Sequence, residues 1–266
     1  SLAVEMAESK EADTCAWVLF GTMMGPTLVF TIPVALGIIE KEDQHYLAKG
    51  IMVGIITTPI GCLVGGLVAG IELTIILTNL IVPSIFSILL AIGLWKWPTQ
   101  LIQIFTIFGK GIEGLSIIGL VAIIVETLTG FVIIPGLAPL SEGILLVGTI
   151  VIFLAGAFPM VTFIAKVGKR PLKKIGTVLR INEQSTAGLV ASLAHSIPMF
   201  TILKEMDPRG KVINVAFAVS GAFVFGGHLG FVAGINKEVV FAMVVGKLVG
   251  GISAIVLALI TSQDRA

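Results

Sequence analysis

GIMVGIITTPIGCLVGGLVAGIELTIILTNLIVPSIFSILLAIGLW, residues 50–95, decides the fold. Only Glu72 carries a charge in this stretch. As a single helix it would run about 69 Å, more than twice the hydrocarbon thickness of a bilayer. The chain must fold back near Gly70–Leu73, so the stretch reads as two membrane spans joined by a tight turn. The rest of the sequence repeats the pattern. Of 266 residues, Lys+Arg account for 17 and Asp+Glu for 16, so 12% are charged, against about 25% in a soluble domain. Apolar residues make up 56% and the mean hydropathy is +1.07. So few charges cannot cover a soluble surface. An ordinary soluble enzyme, a nucleic-acid binder and a disordered chain are excluded.

The expected fold class is all-α: a polytopic transmembrane helix bundle, one domain over 1–266, with about eight spans. Uncharged apolar runs place them at 15–39, 50–70, 73–95, 112–134, 143–165, 184–203, 212–235 and 239–262. Residues 98–109 are apolar but short, an interfacial helix or part of a broken span. The segments between are short and hold most of the charge. Loop 166–183 carries Lys166, Lys169, Arg170, Lys173, Lys174 and Arg180. With eight crossings, eleven Lys/Arg fall in the loops on its side and five on the other, which places this loop in the cytoplasm and residue 1 outside. The same loop suits lipid headgroups. If 184–203 is re-entrant, loop 204–211 and the C-terminal end move inside. The opening residues lack a basic and apolar signal segment and an initiator Met, as a fragment would.

Glycines recur four apart at 21/25, 50/54, 61/65, 66/70, 226/230, 230/234 and 246/250. Small residues at this spacing let helices approach closely in lipid. Thr31-Ile32-Pro33-Val34 resembles Ser196-Ile197-Pro198-Met199. Each is followed by a charged loop with an Asp (Asp43, Asp207) and a helix with a Gly pair (Gly65-Gly66, Gly226-Gly227). Five crossings separate the copies on the eight-span count. The expectation is therefore an inverted internal repeat, with halves at about 15–95 and 184–262.

Candidate functional residues follow from two physical rules. Proline inside a span frees backbone carbonyls that lipid cannot satisfy. This singles out Gly25-Pro26 and Pro33 in the first span, Pro59 in the second and Pro198 in the sixth, with Thr27, Thr31, Thr57 and Thr58 as groups that could repair the kinks. Ionisable groups at membrane depth are costly and point to function: Glu126, His195, His228 and Lys247. Lys247 is either a cation standing where a coupling ion would sit or a structural Lys paired with a carboxylate such as Glu126. Glu126 alternatively marks an early end to its span. His228 lies in Gly226-Gly227-His228-Leu229-Gly230, where close backbone approach is possible. Cys15 and Cys62 read as packing residues, with no metal site and no disulfide. Catalytic motifs are weak: there is no His-Glu-x-x-His and no phosphate loop, and Ser220 and His228 are eight apart. The chain is not expected to be an enzyme and needs no cofactor.

Gly21–Glu40 (GTMMGPTLVFTIPVALGIIE), Ala187–Phe200 (AGLVASLAHSIPMF), Met206–Phe231 (MDPRGKVINVAFAVSGAFVFGGHLGF) and Val245–Gly251 (VGKLVGG) together resemble the bacterial ethanolamine permease family. The resemblance runs from about residue 15 to 260. It implies a multi-pass protein of the bacterial inner membrane that admits ethanolamine. Full-length members carry further spans before the equivalent of Ser1, so it also implies an N-terminal truncation. Alternatives are a transporter of another small polar solute or a non-transporting membrane fragment. Ethanolamine is a small cation with one hydroxyl. The expected substrate-binding set is Thr27, Thr31 and Pro33 from one copy, His195, Ser196 and Pro198 from the other, and Gly227 and His228 beside them. Lys247 and Glu126 are the ion-coupling or structural residues. Expected partners are ethanolamine and membrane lipid, with no nucleic acid; a homo-oligomer is compatible.

Overall fold

The computed structural model describes residues 2–27, 31–167 and 169–262. Its elements are α1 (Leu2–Pro26), α2 (Ile32–Ile38), α3 (Gln44–Val68), α4 (Leu73–Lys96), α5 (Pro98–Thr129), α6 (Leu140–Val167), α7 (Lys169–Leu179), α8 (Glu183–Ala194), α9 (Ile197–Thr201), α10 (Pro208–Ser220), α11 (Gly227–Ile235) and α12 (Val240–Thr261). No strand occurs among the described residues. The helices Lys41–Val68, Leu73–Lys96, Pro98–Thr129 and Val240–Thr261 are long and apolar enough to cross a bilayer. The fold is an all-α membrane helix bundle. Residues 50–95 turn back at Gly70, whose φ of +76° suits a residue without a Cβ.

Helix α3 is the centre. It packs between α12 and α10, with α4 on a further side. Its contact with α12 is glycine on glycine: a Cβ at Gly61 would lie 2.5 Å from the Gly246 carbonyl, and one at Gly246 would lie 2.7 Å from the Gly61 carbonyl. Gly65 and Gly250 extend this contact. The Gly61/Gly65 and Gly246/Gly250 pairs therefore form one interface, as their spacing predicts. Gly50 and Gly54 instead receive Val215 and Val219 of α10. Gly21 and Gly25 meet nothing within 4 Å, so that pair makes no such contact. At the opposite extreme, only 6% of the apolar window of α5 is buried. Its exposed Ile107, Leu115, Ile118 and Leu128 form a surface that suits lipid tails.

Three of the expected spans differ in form. The first is interrupted: α1 ends at Pro26, Thr27 and Thr31 adopt π-helical geometry, and α2 starts with Pro33 in its first turn. Residues 98–109 are not separate from the next span; α5 runs unbroken from Pro98 to Thr129 because Trp97 ends α4 and Pro98 starts a new helix. Glu126 lies in the last turn of α5, half-buried, and its carbonyl accepts the Gly130 N–H at 2.8 Å. It marks a helix end.

The sixth span is a hairpin. The Asn182 N–H donates to Asp207 Oδ1 at 2.9 Å, and Asn182 Nδ2 donates to the Glu205 carbonyl at 2.9 Å. Residues 182 and 205 are therefore neighbours. Helix α8 enters the bundle, breaks at His195-Ser196, and the chain returns through α9 to the level where it began. Asp207 caps α10 by accepting from the Gly210 N–H at 3.1 Å and from Ser185 Oγ at 2.9 Å, which ties the base of the hairpin to the next helix.

This hairpin changes the parity of the chain, and with it the expected inversion of the repeat. Lys211 pairs with Asp43 at 2.5 Å, Gly50 meets Val215, Gly54 meets Val219, and Thr57 Oγ1 donates to Ser220 Oγ at 3.4 Å. The paired numbers rise together, so α3 and α10 run parallel. Helices α2 and α9 also touch, and Lys204 meets Glu40 at 3.6 Å. The matched segments around 31–57 and 196–220 lie side by side in the same direction and are not inverted. The inversion fails because 184–203 turns back on itself instead of crossing.

Candidate functional site

The site is built where interrupted helices meet. Helix α10 stops at Ser220, and residues 221–226 are unwound before α11 begins. An unwound segment inside an apolar bundle must find backbone partners. Here the N–H of Phe223 donates to the Ser192 carbonyl at 2.9 Å, and that of Phe225 to the Leu193 carbonyl at 2.9 Å. Those carbonyls belong to the last turn of α8, which lacks onward helical partners. The two breaks satisfy each other. Gly226 is required at this contact, because a Cβ there would collide with the Ala194 carbonyl. The Val219 carbonyl near the end of α10 accepts Thr27 Oγ1 at 3.1 Å, so the first break is tied to the third. Among the described residues no backbone N–H donates to the carbonyls of Ala222, Val224 and Phe225.

Phe223 is the pivot. Its φ of +62° is the left-handed region, unfavourable for a bulky residue and typical of functional sites. Its ring stacks on His228 with centroids 4.7 Å apart and 28° between planes. His195 meets the same ring edge-on at 4.8 Å and 70°. His195 Nδ1 accepts the Ile197 N–H at 3.2 Å, which places its proton on Nε2. His228 Nδ1 is buried with no hydrogen-bond partner among the described residues.

These rings open on a cavity of about 650 Å³. Its walls include His195, Phe223, Gly227 and His228, with Trp17 and Phe231 supplying further aromatic faces and Thr22 from α1. Three of the expected residues thus converge: His195, Gly227 and His228. Thr27 lines a neighbouring cavity of about 410 Å³ with Thr58, Asn79 and Ser87, and Trp17 lines both. Ser196 is fully buried beneath the break, its Oγ without a partner among the described residues. The remaining three lie elsewhere. Thr31 is buried. Pro33 packs on Gly109 of α5, where a Cβ would lie 2.7 Å from its ring. Pro198 is exposed at the start of α9. They shape the breaks rather than line this cavity.

Lys247 is 1% exposed in α12. The ion pairs among the described residues are Lys204–Glu40 and Lys211–Asp43, so the expected pairing with Glu126 is not formed. Cys62 lies against Met23, with sulfurs 3.9 Å apart. Among the described residues no cluster of His, Cys, Asp and Glu could hold a metal ion.

Sequence reading alone missed Phe223, Trp17 and Phe231. The signal for Phe223 was present: an aromatic residue flanked by small residues in Gly221-Ala222-Phe223-Val224-Phe225-Gly226-Gly227, where a helix is weak. Trp17 and Phe231 gave none, since aromatics are common in membrane helices.

A membrane bundle whose interrupted helices satisfy one another around a central aromatic cavity has the architecture of a solute transporter. The comparisons narrow this. The family model for "Ethanolamine utilisation protein, EutH" matches residues 1–261, and the chain belongs to that family. It is 55% identical over 259 residues to the probable ethanolamine permease EutH of Listeria monocytogenes, covering 97% of this chain and 69% of the relative. It is 44% identical to the protein of the same name in Salmonella typhimurium, covering 100% and 71%. It is 58% identical over 254 residues to protein YxeR of Bacillus subtilis, covering 96% and 69%. No solved structure matches.

Proposed function

We propose that the chain is a permease that admits ethanolamine across the bacterial inner membrane, with the cavity beside Phe223 as its substrate site. The observation that carries this reading is the union of three aromatic walls with one buried, unpartnered imidazole nitrogen. Ethanolamine has an ammonium and a hydroxyl. An ammonium over an aromatic face gains about 0.5–2 kcal/mol, more when desolvated; Trp17, Phe223 and Phe231 offer such faces. Carbonyls of the unwound segment supply the remaining polar contacts. The hydroxyl donates to His228 Nδ1, a bond that satisfies a group otherwise buried at a cost of about 1–3 kcal/mol. The relatives' names support the choice of substrate.

The chain crosses the membrane seven times in this reading, with α8–α9 as a re-entrant hairpin. The α1–α2 and α10–α11 segments are interrupted crossings. The topology gathers twelve Lys/Arg on one face: Lys41, Lys49, Lys96, the six of 166–183, Lys204, Arg209 and Lys211. Lys10 and Lys237 fall on the other. The asymmetry supports a cytoplasmic placement for the basic face. The opposite face carries Asp13, Glu72, Glu142 and Glu238, which would concentrate a cationic solute there.

Uptake of labelled ethanolamine into proteoliposomes tests the reading. Saturable uptake above that of protein-free vesicles is expected, reduced in His228→Ala. Uptake no faster than in empty vesicles overturns it; normal uptake by His228→Ala removes the site.

A further inference from the structure

Another cavity shares no wall residue with the aromatic site. It measures about 1150 Å³ and lies between α6, α7 and α8. We propose that this cavity binds the phosphate of an anionic membrane phospholipid between Lys173 and Arg180, with the acyl chains laid along the exposed apolar side of α6. The inference does not depend on what the protein transports.

Charge is the first support. Lys173 and Arg180 both line the cavity, both are exposed, and neither takes part in the ion pairs found among the described residues. The carboxylate in the wall, Glu183, sits in the first turn of α8, where the helix dipole favours it. Two unpaired cations in a cleft between membrane helices suit a lipid phosphate.

The backbone is the second support. Arg180 ends α7 with φ +54°, a left-handed position that usually takes Gly or Asn. The Arg180 N–H donates to the Thr177 carbonyl at 3.2 Å and the Ile181 N–H to the Gly176 carbonyl at 3.0 Å. The helix end is thus hydrogen-bonded, and the arginine starts from a fixed backbone. Gly176 lets α7 lie close on α8, since a Cβ there would lie 2.8 Å from Thr186 Oγ1.

The apolar surroundings distinguish a lipid from a free anion. Phe163 and Val167 of α6 are 65% and 66% exposed, and Val178 of α7 is 78% exposed. A soluble phosphate would leave this surface bare. A phospholipid covers it with its chains while its headgroup meets the cations.

The test reads lipid retention, not uptake. The detergent-purified chain is exposed to equal phosphatidylglycerol and phosphatidylcholine, and bound lipid is measured by native mass spectrometry. Wild type is expected to prefer phosphatidylglycerol by about thirty-fold, the effect of two cations near a surface. The Lys173→Gln/Arg180→Gln variant should lose most of this preference. Lys174→Gln, on the same helix but outside the cavity wall, should keep it. Inorganic phosphate at millimolar concentration should not displace the lipid. Equal preference in wild type and double variant overturns the proposal. So does an equal loss in Lys174→Gln, which would mean diffuse surface charge, or displacement by phosphate alone. Thermal unfolding of each variant, matching wild type, shows that the fold is intact.

Discussion

Replacing Gly61 by Ala and Gly119 by Ala adds the same methyl group to two membrane helices, and the two changes should move stability in opposite directions. At Gly61 the new Cβ would lie 2.5 Å from the Gly246 carbonyl oxygen and 3.0 Å from the Gly250 Cα. An ordinary carbon–oxygen contact is about 3.3–3.6 Å. Helices α3 and α12 must therefore separate by about 1 Å at their crossing. A gap of that size forfeits roughly a quarter to a half of the attraction in each contact, and overpacking costs about 1–3 kcal/mol. Alanine recovers about 1 kcal/mol through helix propensity. The net expectation for Gly61→Ala is a loss of up to about 2 kcal/mol. At Gly119 of α5 a Cβ meets nothing within 4 Å, so only the propensity gain remains, about 0.5–1 kcal/mol. The assay is thermal unfolding of each purified variant in the same detergent, at a few degrees per kcal/mol. Two shifts of the same sign and size would refute the glycine-on-glycine contact between α3 and α12.

Other substitutions probe separate parts of the account. Lys247→Met keeps the side-chain volume and removes a buried amine that forms no ion pair among the described residues; it should raise stability by about 1–4 kcal/mol while lowering uptake, and a less stable protein with normal uptake contradicts this. Gly226→Ala drives a Cβ into the Ala194 carbonyl; it should cost about 2 kcal/mol or more and abolish uptake, whereas a wild-type melting profile would mean that the two breaks are not in contact. Asp43→Asn leaves Lys211 unpaired and should cost about 1–3 kcal/mol. A double-mutant cycle with Lys211→Met should show coupling of about 1 kcal/mol, and zero coupling would separate α3 from α10.

The membrane class and most helices were legible because charge is so scarce that its positions mark the ends. The Gly61/Gly65 and Gly246/Gly250 contact was legible as well, since close approach in lipid demands small residues four apart. The direction of the repeat was not. It depends on whether 184–203 crosses or returns, and an apolar run of twenty residues satisfies both. What settles it is Asn182 reaching Glu205 and Asp207, a pairing of polar residues across a segment that sequence cannot fold back. Part of the candidate site was legible. His195, Gly227 and His228 stand out as polar or flexible groups in apolar runs. Phe223 does not, because its importance comes from a left-handed backbone and from two rings that arrive from different helices. Pro33 and Pro198 were singled out as breaks and Thr31 as a group that could repair one; both prolines do begin new helices, but a break and a binding surface need not coincide.

In the proposed site one cavity reads both ends of a small amino alcohol, with aromatic faces for the ammonium and His228 Nδ1 for the hydroxyl. Ethylamine keeps the ammonium and lacks the hydroxyl. Competition of ethylamine against labelled ethanolamine uptake, in wild type and His228→Ala proteoliposomes, tests this directly. The account predicts that wild type prefers ethanolamine by about ten-fold, the worth of one buried hydrogen bond, and that His228→Ala shows little preference. An unchanged preference in His228→Ala, or none in wild type, would contradict it.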